Sequence, residues 1–174
     1  KTLRSLCLVV AVYYTRLMEE QPAFEDPLDA VSRVGLACWD LRDQLARVRG
    51  LADADAVDFA RVVEEAGRII DALRVRAAGE LEKRSLRGGD ENLAARHGCR
   101  SGVELIERAT QAPTAEVLRR VRLDSRTSTR PSLTGETLPP ALRTLSSVLD
   151  EGRIGTDAAT QISAMLRGVE HRAD

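Results

Sequence analysis

The spacing of apolar positions along the chain is helical almost throughout. Leu28, Val31, Val34, Cys38, Leu41, Leu45 and Val48 recur at steps of three and four. That recurrence places one apolar stripe on a helix over 28–48, with Trp39 at its edge and Gly50 as its stop. A second, longer pattern runs from about Ala56 to Arg87. Its apolar side is Phe59, Val62, Val63, Ala66, Ile69, Ile70, Leu73, Ala77 and Leu81. At 1.5 Å per residue, roughly 30 residues of helix span about 45 Å. Asp53 or Asp55 supplies the cap, and Gly88-Gly89 the end. Two stripes of this kind predict that the helices pack antiparallel on each other. The longer stripe exceeds what one short partner covers, so it also predicts a homodimer through these helices.

The stretch from Asn92 to Leu123 reads as three short helices around tight turns. Asp90 is the expected cap of the first and Gly98 its end. Ser101 caps the second, with Glu104 at capping-box spacing. Pro113 and Thr114 open the third. Asp124–Pro131 and Leu133–Pro140 read as loop and irregular chain, with Pro140 as a helix first-turn residue. A helix over Ala141–Leu149 follows, then Gly152, then a last helix capped by Thr156. Its inner face is Ala159, Ile162, Met165 and Leu166.

The expected architecture is therefore all-α: a multi-helix domain with a long antiparallel helix pair and a helix-turn-helix-like C-terminal half. Its parts are an arm over 1–27, the helix pair over 28–89 and a helical subdomain over 90–174. The last two form one compact domain. Sparse Gly and Pro, and Val and Ile inside 3.6-residue patterns, argue for the same class. Aromatic residues make up only 3%, so the core is built from Leu, Val, Ile and Ala.

Residues 1–27 start with Lys1 and Arg4 before an apolar run over Leu6–Tyr14, too short to span a membrane. No A-x-A pattern follows, so a helix packed on the main body is the expectation. The lack of an initiating Met, and the end without a closing element, predict a chain cut from a longer one.

Charge adds a second pattern. The net charge is -1, but it is segregated. Residues 1–73 carry 9 basic and 13 acidic side chains; 74–130 carry 13 and 8; 131–174 carry 4 and 6. Only the middle segment favours a polyanion. Within it, Arg96, Arg100, Arg119, Arg120 and Arg122 flank the short helices. Basic residues on short helices around a turn suit contacts to a DNA backbone. Duplex DNA is the expected partner, through those five arginines.

Other chemistry is thin. Cys7, Cys38 and Cys99 are far apart and odd in number, which excludes a disulfide framework and points to a cytoplasmic protein. Cys99 reads as a small buried residue. His97 and His171 make no histidine-rich metal site. No phosphate-binding P-loop and no zinc-protease motif is present. The expectation is no cofactor, no metal, no small-molecule substrate, no membrane partner and no catalytic residue.

LAARHGCRSGVELIERATQAP, AEVLRRVRL, SLTGETLPP and VLDEGRIGTDAATQI together resemble a family of actinobacterial domains of unknown function that precede an HNH endonuclease module, the thirteen-E-twelve repeat family. The resemblance covers about Leu28 to the C-terminus. It implies a helical domain N-terminal to a nuclease. The chain lacks the ββα-metal finger of such a nuclease, so this resemblance implies a non-catalytic domain. The segment holding Leu149, Gly152, Ile154 and Ala159 also looks like the helix-turn-helix corner of ParB-type partition proteins.

Overall fold

A computed structural model describes residues 26–42, 44–132 and 134–170. The chain is all-α, as expected. The arm over 1–25, Cys7 and His171 lie outside the described residues. The chain divides into two compact units between Ala56 and Val57, inside the segment read as the helix pair.

The first unit holds α1 (Pro27–Arg42), which ends short of the helix expected over 28–48, and a separate 3-10 turn over Leu45–Gly50. No residue of α1 is buried. Its whole stripe, including Leu28, Val31, Val34 and Leu41, stands exposed. The Arg42 guanidinium lies 4.8 Å from the centre of the Trp39 ring.

α2 (Asp53–Ser85) supplies the long helix of the second unit. Its buried residues are Ala72, Val75, Ala78, Gly79 and Ser85. None of them belongs to the stripe read from the sequence. Phe59, Val62, Val63, Ile69 and Leu73 of that stripe are exposed. The covered face is thus rotated by about one residue, roughly 100°, from the face with the largest apolar side chains.

A 3-10 turn over Gly89–Glu91 leads into α3 (Leu93–Arg96), α4 (Gly102–Thr110) and α5 (Thr114–Thr127). Asn92, not Asp90, caps α3. Its Oδ1 accepts from Ala95 N at 2.9 Å, and its Nδ2 donates to Ser85 O at 2.7 Å. One side chain therefore closes α2 and opens α3. Ser101 caps α4 as expected, accepting from Glu104 N at 3.2 Å. The Glu104 carboxylate does not return to Ser101 N. It accepts from Arg100 N at 2.9 Å. That bond and the Arg100 guanidinium hold the Glu104 carboxyl below its usual range.

α5 continues through Thr127, past the expected loop start at Asp124. Leu142 N and Ser146 Oγ donate to the Arg126 and Thr127 carbonyls there, and Arg76 of α2 holds the side chains. Its Nη1 donates to Asp124 Oδ1 at 2.8 Å, to Thr127 Oγ1 at 3.0 Å and to Ser128 Oγ at 2.7 Å. Those residues are polar enough for a loop, yet a largely buried cation gives their oxygens a partner in helical geometry. Beyond α5, β1 (Arg130–Pro131) and β2 (Thr137–Leu138) pair antiparallel for two residues each, the first in the segment read as loop and the second in the segment read as irregular. α6 (Arg143–Asp150) begins after Pro140, which therefore stands outside its first turn, and α7 (Thr156–Glu170) starts at the expected threonine.

The core lies between α2 and the C-terminal helices. Ala72 and Val75 pack with Leu123, Leu145, Leu149 and Ala159. Ala78 packs with Ile106 and Val117. Small residues on α2 let its neighbours come close. A Cβ on Gly79 would collide with the Asp124 carboxylate. Gly152, at φ 66°, brings the α6–α7 turn onto α2, where an added Cβ would collide with the Ile69 side chain. Arg68 secures that turn by donating to Gly152 O at 2.7 Å.

Candidate nucleic-acid interface

The five arginines singled out from the sequence meet different fates. Arg96 is exposed on the last turn of α3, with no carboxylate partner among the described residues. Arg100 is exposed and leans on Glu104 at 3.2 Å. Arg119 and Arg120 are largely withdrawn from solvent. Arg120 is 15% exposed and binds Glu116 at 2.9 Å. Arg119, 34% exposed, binds the other oxygen of Glu116 at 2.5 Å and also touches the Asp157 carboxylate on α7. Arg122 is the exposed member of this trio, and no described carboxylate pairs with it.

The same enclosure applies to α5 as a whole. It packs on α4, α6 and α7, and through Val117 and Leu123 on α2. Only Thr114, Ala115, Arg122 and Ser125 along it are exposed. A helix held on so many sides does not offer the long free face that reads a major groove.

What α5 does offer is one wall of a cleft. Arg119, Arg122 and Leu123 face Thr160, Ser163, Ala164 and Arg167 of α7 across a volume of about 440 Å³. Both sets follow helical spacing, so each is one strip of its helix. Leu123 and Ser163 are buried and form the floor. Arg122 and Arg167 are exposed, and no described acidic side chain lines the cleft. Arg119 Nε is buried without a hydrogen-bond partner among the described residues. Arg119 also lines a second cleft, of about 420 Å³, between α2 and the start of α7. That one is electrically mixed: it includes Glu64, Asp71, Glu116 and Asp157, and Arg74 there is tied to Asp71 at 2.9 Å.

Sequence reasoning did not single out Arg167, Thr160 or Ser163. Their signal was the i, i+3, i+7 spacing of polar residues along the last helix, which lies in a segment of net negative charge. Arg76 also escaped it, since the partners of that side chain are 48 to 74 positions away. Cys99 is buried as expected, with Arg108 Nη1 at 3.3 Å from its Sγ. His97 is exposed at the C-terminal end of α3. Among the described residues, no cluster of His, Cys, Asp and Glu is arranged to hold a metal ion, and no helix is long and apolar enough to cross a membrane. No family model, no curated protein and no solved structure matches this chain.

Proposed function

We propose that this chain is a non-catalytic helical domain that binds or positions duplex DNA by its phosphate backbone. The resemblance to domains that precede HNH nucleases supports a position beside such a module in a cytoplasmic protein. The observation that supports DNA contact is the α5–α7 cleft, whose exposed arginines Arg122 and Arg167 have no acidic neighbour in the described lining. Unneutralised cations in a concave surface attract a polyanion and release its counterions. With few arginines available, binding is weak and almost independent of base sequence.

The test is fluorescence anisotropy of a labelled duplex at low and moderate salt. The wild-type chain binds at low salt, and affinity falls as salt rises, with a slope set by the few phosphates contacted. Replacing both Arg96 and Arg122 by Gln reduces the salt slope by about 2, one for each phosphate deprived of its cation. Both side chains are exposed and carry no ion pair with a described residue, so the far-UV circular dichroism stays unchanged. Arg120 is a poor choice for the same test, because its removal leaves Glu116 without one of its two cations. An absence of binding at low salt overturns the proposal.

A second reading, a self-association module, is favoured by the stripe on α2. Phe59, Val62, Ala66, Ile69 and Leu73 follow the alternating three-and-four steps of a coiled-coil seam, and all are exposed. Sedimentation velocity then finds a dimer at high concentration, and Leu73→Asp yields monomer with unchanged helix content. A wild-type chain that sediments as a monomer removes this reading.

A further inference from the structure

The α5–α7 cleft has the make-up of a seat for a single phosphate group, and its third cation is a residue outside the basic middle segment. We propose that Arg119, Arg122 and Arg167 together hold one phosphate there, over a floor that carries the Ser163 hydroxyl. The inference rests on the DNA-backbone reading for the origin of that phosphate, but not for the seat itself.

Three features carry it. Two of the three guanidinium groups in the lining, those of Arg122 and Arg167, have no carboxylate partner among the described residues, an imbalance that an anion relieves; the third, Arg119, is held by Glu116 and Asp157 from outside the cleft. The helices supply the groups in register. Arg167 stands seven residues beyond Thr160 and four beyond Ser163 on one strip of α7, and Arg119 and Arg122 stand one turn apart on α5. Guanidinium forks bind phosphate oxygens in pairs, which suits a tetrahedral anion between two helices. Finally, Arg119 is placed to change partner. It lines this cleft and the mixed-charge cleft, its Nε is buried without a described acceptor, and it touches Asp157, whose side chain is 77% exposed. Asp157 thus competes with an incoming phosphate for Arg119. Occupation of the seat transfers one guanidinium N–H from the aspartate to a phosphate oxygen.

This gives Asp157 a definite role: its carboxylate weakens binding. Removing it releases that N–H of Arg119 at little structural cost, because exposed ion pairs add little stability.

The experiment uses the full chain and three variants, Arg167→Gln, Asp157→Asn and Arg96→Gln. Anisotropy with a labelled duplex is combined with calorimetric titration of inorganic phosphate and pyrophosphate at fixed ionic strength. Arg167→Gln weakens duplex binding roughly tenfold at low salt, the effect of removing one charge-assisted hydrogen bond. It lowers the salt slope by about 1. Asp157→Asn strengthens binding roughly two- to fivefold, the fold-change that matches an exposed ion pair. Arg96→Gln leaves pyrophosphate binding unaltered, since Arg96 is outside the cleft.

Duplex binding that ignores both Arg167→Gln and Asp157→Asn keeps the DNA reading and overturns the seat. Pyrophosphate binding that depends on Arg167, without duplex binding, keeps the seat and overturns the DNA reading. Binding of neither ligand overturns both.

Discussion

Replacing Arg76 by methionine is expected to lower the unfolding free energy by about 2–3 kcal/mol. The cost comes from what the guanidinium joins. Arg76 is 26% exposed and Asp124 is 13% exposed, so this pair sits largely out of water. Nη2 reaches Asp150 Oδ1 at 2.8 Å and Ser146 Oγ at 3.1 Å, so one side chain fastens α5 and α6 to α2. Without it, the Asp124 carboxylate keeps only the Ser128 hydroxyl, at 2.5 Å, among these partners. Leaving a buried charge unpaired costs about 3–5 kcal/mol. The half-exposed Asp150 recovers some of that through water, which brings the figure down. Methionine preserves most of the length of the side chain, so the change reports charge and hydrogen bonding and not a cavity. Arg76→Lys recovers only part of the stability, because a single ammonium cannot fork to two carboxylates and three hydroxyls. Urea unfolding followed by circular dichroism reads both variants. A methionine variant as stable as the wild type would show that the network contributes nothing net.

Leu149→Ala is expected to be costlier still, about 3–4 kcal/mol. Leu149 is fully buried and lies in the cluster formed by Ala72, Val75, Leu123, Leu145 and Ala159. Deleting its branched end removes the transfer energy of three carbons. It also leaves a cavity that α2, α5 and α7 cannot close, because Arg76 and Arg68 hold their spacing. Against a total stability of about 5–15 kcal/mol, such a change is a large fraction. The midpoint of urea unfolding falls while its slope stays near the wild-type value. Leu166→Ala is the control. That side chain is 40% exposed on the next helix, and its truncation costs about 1 kcal/mol or less. Equal shifts for the two variants would mean that the core is not where the burial places it.

Much of the local structure is legible in the residues. Ser101 and Glu104 mark the start of α4, Gly98 and Gly152 mark turns with positive φ, and Thr156 marks the start of α7. These signals act within a few residues, so the chain carries them without knowing its fold. Part of the candidate site is legible in the same way. Glu116 stands three and four residues before Arg119 and Arg120, a spacing that ties acids to arginines on a helix and lessens their availability to a partner. Asp157, 38 positions from Arg119, carries no such signal, and neither does Arg167 as the third cation of the cleft. The continuation of α5 through Asp124–Thr127 is likewise hidden, since the groups that hold those polar residues, Arg76, Leu142 N and Ser146 Oγ, lie far from them in the sequence.

Helicity, most helix boundaries and the basic middle segment follow from the residues alone, because they depend on backbone capping, period and composition. Which side of α2 is covered does not. Apolar periodicity weights side chains by size, and it points to Phe59, Val62, Ile69 and Leu73. Close helix packing weights the room between axes, and it selects Ala72, Val75, Ala78 and Gly79, where the Asp124 side chain can sit almost on the α2 backbone. The larger stripe is left exposed. The arginines are sorted into those that hold the fold together and those that face solvent, because only the packed helices bring distant carboxylates to some of them.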